Sequence, residues 1–130
     1  MDCCESNEIT MSDYMMLHPH CAICHWPGTR KGRRLELHHI VAGPGRKNPP
    51  DGSNWLCTCS RCHVAIHSRI PEYGELSKGA VLTAKIQEDG PLDLQALASL
   101  KHKKHLGYDP EPIPEPFLQD RIRNGGDPWP

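Results

Sequence analysis

Two Cys-x-x-Cys units, Cys21–Cys24 and Cys59–Cys62, constrain this chain more than any other feature. Two residues between thiolates let both sulfurs reach one ion from a tight turn. Two such turns complete a tetrahedral Zn(II) shell with no open position, as a structural site requires. The competing readings are a redox Cys-x-x-Cys or buried free cysteines, and a redox motif appearing twice outside a strand–helix context is disfavoured. The 34 residues between the units exceed a zinc-ribbon interval, so they must form a folded insertion. Cys57 could replace Cys59 in the pairing, while Cys3 and Cys4 read as bystanders.

The rest of the chain shows why a metal is needed. Hydrophobic residues make up 37% of 130 positions and aromatics only 5%, beside 13 prolines and 11 glycines. So little large apolar surface is a weak offset to chain entropy, and small chains of this kind are commonly held by metals or disulfides. The seven cysteines are an odd number, the first ten residues are acidic, and no apolar signal core follows them. No run approaches the ~20 apolar residues of a membrane span. A reduced, soluble, cytoplasmic protein is expected.

The net charge of −1 conceals a division. Residues 1–20 carry four acids and no Lys or Arg. Residues 21–69 carry eight bases (Arg30, Lys31, Arg33, Arg34, Arg46, Lys47, Arg61, Arg69) against two acids, and residues 70–130 carry seven bases against ten acids. A basic centre between acidic flanks leaves polyanion binding open, though a solvated face is the simpler reading of any one charge.

Four segments are expected. Residues 1–20 are a lead-in, with a short helix running to Leu17 from a Thr10 or Ser12 cap. Residues 21–70 hold a strand over Arg34–Val41, a Gly- and Pro-rich loop, a return strand at NWLCTC, and a helix from Ser60 that Pro71 would end. Residues 71–107 form a helical extension with helices over 76–87 and 92–107. Residues 108–130, with six prolines, read as a flexible tail. Trp26 and Trp55 are expected to pack around the hairpin.

A second set of side chains lies within and beside the insertion: His38, His39, Asn54, His63 and His67. His63 and His67 are four apart on the expected helix and share a face. Neutral imidazoles suit a divalent transition metal. A third from the hairpin would leave positions open for water and substrate, and the remaining histidine could act as a general base near neutral pH. Solvent-facing histidines are the alternative.

These residues together resemble the HNH endonuclease family: Cys21-Ala22-Ile23-Cys24, Leu35-Glu36-Leu37-His38-His39-Ile40, Asn54, and Cys59-Ser60-Arg61-Cys62-His63-Val64-Ala65-Ile66-His67. The offsets from Asn54 (5, 8, 9 and 13) match the family register without a gap, which assigns Cys59 rather than Cys57 to the knuckle. The resemblance implies an α+β chain with a small ββα-metal (His-Me finger) core, a zinc-knuckle hairpin and flanking short helices. It implies His38, His63 and His67 as ligands of a catalytic divalent ion (Mg, Mn, Ni or Zn), and Cys21, Cys24, Cys59 and Cys62 as the structural zinc site. His39 would activate water for hydrolysis of a DNA phosphodiester, with Asn54 holding the loop and orienting His39 by hydrogen bonding. Adjacent strand residues point to opposite faces, so His38 and His39 need a distorted strand end to share one site.

Arg30, Lys31, Arg33, Arg34, Arg46 and Lys47 are candidates for phosphate contacts. The cluster Lys101, His102, Lys103, Lys104, His105 reads as a solvated helix end. One such site cuts one strand, so a double-strand cut needs a homodimer, a second encounter or a partner. The alternatives are a non-catalytic zinc module that binds nucleic acid, or an accessory part of a phage DNA-processing assembly. A phage or mobile-element origin is the expectation that family habit suggests.

Overall fold

A computed structural model describes residues 9–28, 34–43, 45–47, 49, 51–67 and 76–124. The bases Arg30, Lys31 and Arg33, the cysteines at 3 and 4, Trp129 and the expected Pro71 helix stop lie outside the described residues.

Helix α1 (Met11–Leu17) starts at a reciprocal capping box. The Thr10 hydroxyl accepts from the Asp13 amide at 3.0 Å, and the Asp13 carboxylate accepts from the Thr10 amide at 3.3 Å, satisfying two donors that have no partner within the helix. Its buried residue, Tyr14, meets Trp55 edge-on with centroids 5.9 Å apart. His18 and His20 both reach Glu88, at 3.1 and 3.0 Å, so the lead-in is tied to the middle of the chain.

The insertion is an antiparallel hairpin of β1 (Leu35–His39) and β2 (Trp55–Cys59), with Leu35 opposite Cys59 and His39 opposite Trp55. Helix α2 (Ser60–His67) follows β2 without a loop, so the second Cys-x-x-Cys straddles the strand–helix junction. The first docks beside it: the Ala22 amide donates to the Cys57 carbonyl at 2.8 Å. This is the expected α+β architecture, a two-stranded sheet and helix around a four-cysteine cluster.

Helices α3 (Lys78–Asp89), α4 (Leu94–Ser99) and α5 (Glu115–Arg123) complete the fold. Cys21, Ile23, Cys24, Trp26, Leu56, Cys59, Cys62 and Ala65 share one core with Leu76, Ala80, Val81 and Ala84 around α3, and with Ile113, Phe117 and Leu118 around α5. The zinc-ligand candidates are therefore part of the hydrophobic core rather than an appendage to it.

Two expectations need correction. The helix expected over 92–107 ends at Ser99, and His102 takes a left-handed φ of 60°. Leu97, Ala98 and Leu100 are buried, whereas residues 102–105 offer cations and imidazoles with no apolar face to hold another turn. The Lys47 amide takes the Leu100 carbonyl at 2.8 Å and fastens this end to the hairpin loop.

The second correction is the flexible tail, whose described part is ordered. Pro114 caps α5 and Pro116 sits in its first turn, where the missing N–H costs nothing. Arg121, 1% exposed, donates to the carbonyls of Ile23 (2.7 Å) and Ala22 (3.2 Å), and Asn124 donates to Cys24 O at 2.8 Å. An ion pair from Arg61 on α2 to Asp120 on α5 fastens the helix at its side. Arg121→Ala should strand two buried carbonyls and destabilise the protein by about 3 kcal/mol, read as a shifted urea midpoint. An unchanged midpoint would mean the clamp is idle.

Candidate active site and metal centres

The four thiols sit at the closure of the two turns. All are 0% exposed, and their sulfurs lie within 4.8 Å of one another. Cys24 Sγ and Cys59 Sγ are 3.7 Å apart. Four sulfurs at ~2.3 Å from one tetrahedral ion would stand about 3.8 Å from each other, so the spacing fits zinc. Cys59 is held toward thiolate, its pKa pulled down first by the neighbouring Cys21 thiol and then by Cys24 and Cys62. Cys57 lies outside the cluster. Burial pushes its thiol up to about 12, and it packs with Tyr14 and Trp55.

The second centre is built from β1 and α2. His38 projects from β1 toward α2, where His63 and His67 lie one turn apart on the same face. One ring nitrogen from each lies within 4.8 Å of the others, and the three centroids are 5.0–5.6 Å apart. His38 is 7% exposed, and burial, then the neighbouring His63, His67 and His39, push its pKa down to about 3. Three convergent imidazoles are a donor set suited to a divalent ion, with room left for other ligands.

His39 is brought to the same place. It lines, with His38, His67, Ile66, Lys78 and Tyr108, a cavity of about 290 Å³. β1 remains paired through His39, so the two adjacent histidines meet one cavity at the end of an intact strand. Burial, followed by the charge of Arg46, lowers the His39 pKa.

Asn54, 1% exposed, bonds the start of the hairpin loop. Its side-chain oxygen accepts from the Val41 amide at 2.7 Å, and its side-chain nitrogen donates to the Val41 carbonyl at 3.0 Å. The amide side chain thus acts as a surrogate strand residue, prolonging the ladder past His39. Among the described residues its bonds fix the backbone after His39 rather than the imidazole itself. The turn bearing it is held by Lys85, 2% exposed, which donates to Gly52 O at 2.9 Å and Trp55 O at 2.7 Å and pairs with Asp89.

Glu36 was not among the expected site residues. Its carboxylate meets His63 Nδ1 at 2.8 Å and is held on its other oxygen by Arg34 Nε at 3.1 Å. His63, followed by Arg34 on its other side, draws the Glu36 pKa below the usual carboxylate range. A carboxylate on Nδ1 leaves Nε2 free to face an ion and fixes the tautomer. The cue was the strand period, which puts Glu36 and His38 on one face of β1. Of the expected phosphate contacts, Arg34 is thus engaged with Glu36, Arg46 stands near His39, and Lys47 is exposed.

Comparison with known proteins agrees with this arrangement. Residues 21–69 match the family model for HNH endonuclease. The protein named "Putative HNH nuclease YajD" is 34% identical over 70 residues in both Salmonella typhimurium and Escherichia coli K12, covering 53% of this chain. The matched stretch is 60% of the relatives' length, so this chain spans about three-fifths of each. The relatives are bacterial, and the expected phage origin finds no support among them. No solved structure gives a significant match. No described helix is long and apolar enough to cross a membrane. The cysteine cluster, the hairpin–helix core and these matches together identify residues 21–69 as a domain of the HNH nuclease family.

Proposed function

We propose that the chain is a metal-dependent endonuclease hydrolysing DNA phosphodiester bonds in the cytoplasm of a bacterial cell. The observation that carries this is the convergence of His38, His63 and His67, two of which line one cavity with His39. His38, His63 and His67 would hold a divalent ion, which when bound supplies Lewis-acid stabilisation of charge on the phosphoryl oxygens.

The remaining steps belong to the chain's own groups. An imidazole nitrogen of His39 accepts a proton from water as the water oxygen bonds to phosphorus in line. The P–O3′ bond breaks, and the 3′ oxygen takes a proton from solvent. The ends are a 5′-phosphate and a 3′-hydroxyl. Asn54, through its two bonds to Val41, keeps the His39 end of the strand in register. Arg46, close to His39, is placed to attract the phosphate.

Supercoiled plasmid should become open-circular with the purified protein and Mg, Mn, Ni or Zn. The nicks should be resealed by DNA ligase, which needs the ends just described. No conversion with any of these metals would leave a zinc module that binds nucleic acid without cutting it. Glu36→Gln should weaken the catalytic metal by roughly 10–100-fold, seen as a right-shifted metal titration of nicking. The structural zinc content should be unchanged. An unshifted titration would remove Glu36 from the site.

A further inference from the structure

The cavity that holds the histidines is only partly walled by the HNH segment. Lys78, the first residue of α3, and Tyr108 line it too. A second cavity of about 140 Å³ adjoins it and shares Ile40, Ala42, Lys78 and Tyr108. That second cavity adds Lys101 and Lys103, from the turn after α4. A continuous depression therefore runs from His39 past Lys78 to the turn at 101–103. No carboxylate lines either part of it.

What sets the three lysines apart is their place along this depression, since Arg46, Lys47 and Lys104 also have no ion-pair partner among the described residues. Arg34, Arg61, Lys85 and Arg123 are each paired with a carboxylate, and Arg121 is spent on knuckle carbonyls. Among the described residues, Lys78, Lys101 and Lys103 have no ion-pair partner, and Lys78 Nζ lies 5.8 Å from the Tyr108 ring centroid. Gly43, with φ of 101°, lets Lys101 cross the hairpin loop: a Cβ there would stand 3.0 Å from Lys101 Nζ. The turn is fixed to the hairpin loop by the Lys47–Leu100 backbone bond, so the lysines keep a defined position relative to His39. Lys104, next in sequence, lines neither part of this depression but a third cavity, which meets the second at Leu106 and Tyr108 and includes Asp109.

We propose that Lys78, Lys101 and Lys103 form a phosphate track that holds the DNA strand on one side of the scissile bond. It is contributed by chain outside the HNH segment. This rests on reading the histidine site as DNA-cleaving, and it names where the flanking phosphates go. Unpaired cations along a carboxylate-free depression, spaced outward from the reacting centre, suit a repeating anion such as the phosphodiester backbone.

The test is fluorescence anisotropy with a labelled DNA duplex across a salt series, in a His39→Ala background so that the probe survives. Plasmid nicking is measured in parallel with His39 intact. At ~0.9 counterions per phosphate contact, the Lys78→Gln/Lys101→Gln/Lys103→Gln variant should bind about 100-fold more weakly near physiological salt, with a salt slope shallower by about 3. Each single variant should lose about fivefold, which keeps the test usable if the triple variant fails to fold. Lys104→Gln should change binding by less than about twofold, since it lacks a place in the track.

The proposal is overturned if the lysine variants bind with the parental slope, or if Lys104→Gln is as damaging as Lys103→Gln. It is also overturned if the parent does not bind duplex at all. The two readings fail separately. Lysine-dependent binding by a protein that fails to nick with every metal tried keeps the track and sinks the nuclease. Nicking that ignores the lysines does the reverse.

Discussion

Cys59→Ser should leave a chain with no cooperative thermal transition and no bound zinc, whereas Cys57→Ser should still melt cooperatively. The two thiols are two residues apart on the same buried strand, so composition and burial alone would rank them together. They differ in what surrounds them. Cys59 sits among three other sulfurs at the centre of the main core, against Ile23, Leu56, Ala65 and Phe117. Cys57 faces Tyr14 and Trp55 in a small satellite cluster. Binding of structural zinc contributes about 10–16 kcal/mol in small domains, as much as or more than the ~5–15 kcal/mol of a typical net stability. Losing a ligand removes the driving force and leaves a hydrophobic core built around unmetallated thiols. Losing the Cys57 sulfur should cost on the order of 1 kcal/mol. Circular dichroism melts with metal analysis on the same samples check both, with one zinc per chain expected for the parent. A Cys59→Ser protein that melts like the parent would end the structural-zinc reading.

His39→Ala should cut the nicking rate at saturating DNA by roughly 10²–10⁴-fold, the usual contribution of a positioned general base. Zinc content and melting should be unaffected. The side chain is only half-buried at the last residue of β1, and among the described residues its removal leaves no buried polar partner stranded. His67→Ala should reduce nicking too, but through metal: its activity should recover in part as metal concentration rises, whereas that of His39→Ala should not. Added imidazole should restore some activity to His39→Ala alone, because the missing function is a diffusible proton acceptor. Equal rates for the parent and His39→Ala would place the base elsewhere.

The features legible in the sequence share one property: their chemistry is fixed over a few residues. Two thiols in a turn, or two imidazoles four apart on a helix, have a geometry that needs no knowledge of the rest of the chain. The hairpin and α2 could therefore be placed, and with them both ligand sets. What escaped depends on distant partners. Arg121 lies in a stretch whose prolines suggest an extended chain, and its role exists only because the Ala22–Ile23 backbone is there to receive it. Asn54 belongs to the recognised motif, yet its partner is a strand end that only folding brings opposite. Glu36 carries no signal except its strand parity, and Lys78 none at all. Helix α4 stops early because burial ends at Leu100, where the basic run and Gly107 as a stop suggested continuation.

The bond from Arg121 to Ile23 spans 98 positions. A ribosome adds roughly 5–20 residues per second, and domains generally fold as units. The knuckle of this protein must therefore wait several seconds, with the first two cysteines already outside the exit tunnel, before its clamp is made. During that interval the thiols are solvent-accessible and open to oxidants and to the wrong ion. A chain arrested or cleaved before α5 would carry every residue of the nuclease motif yet lack the helix that covers the metal turn. Such fragments should be cleared by proteases rather than accumulate. Because the clamp lies in α5, synthesis must pass residue 124 before the metal turn is covered.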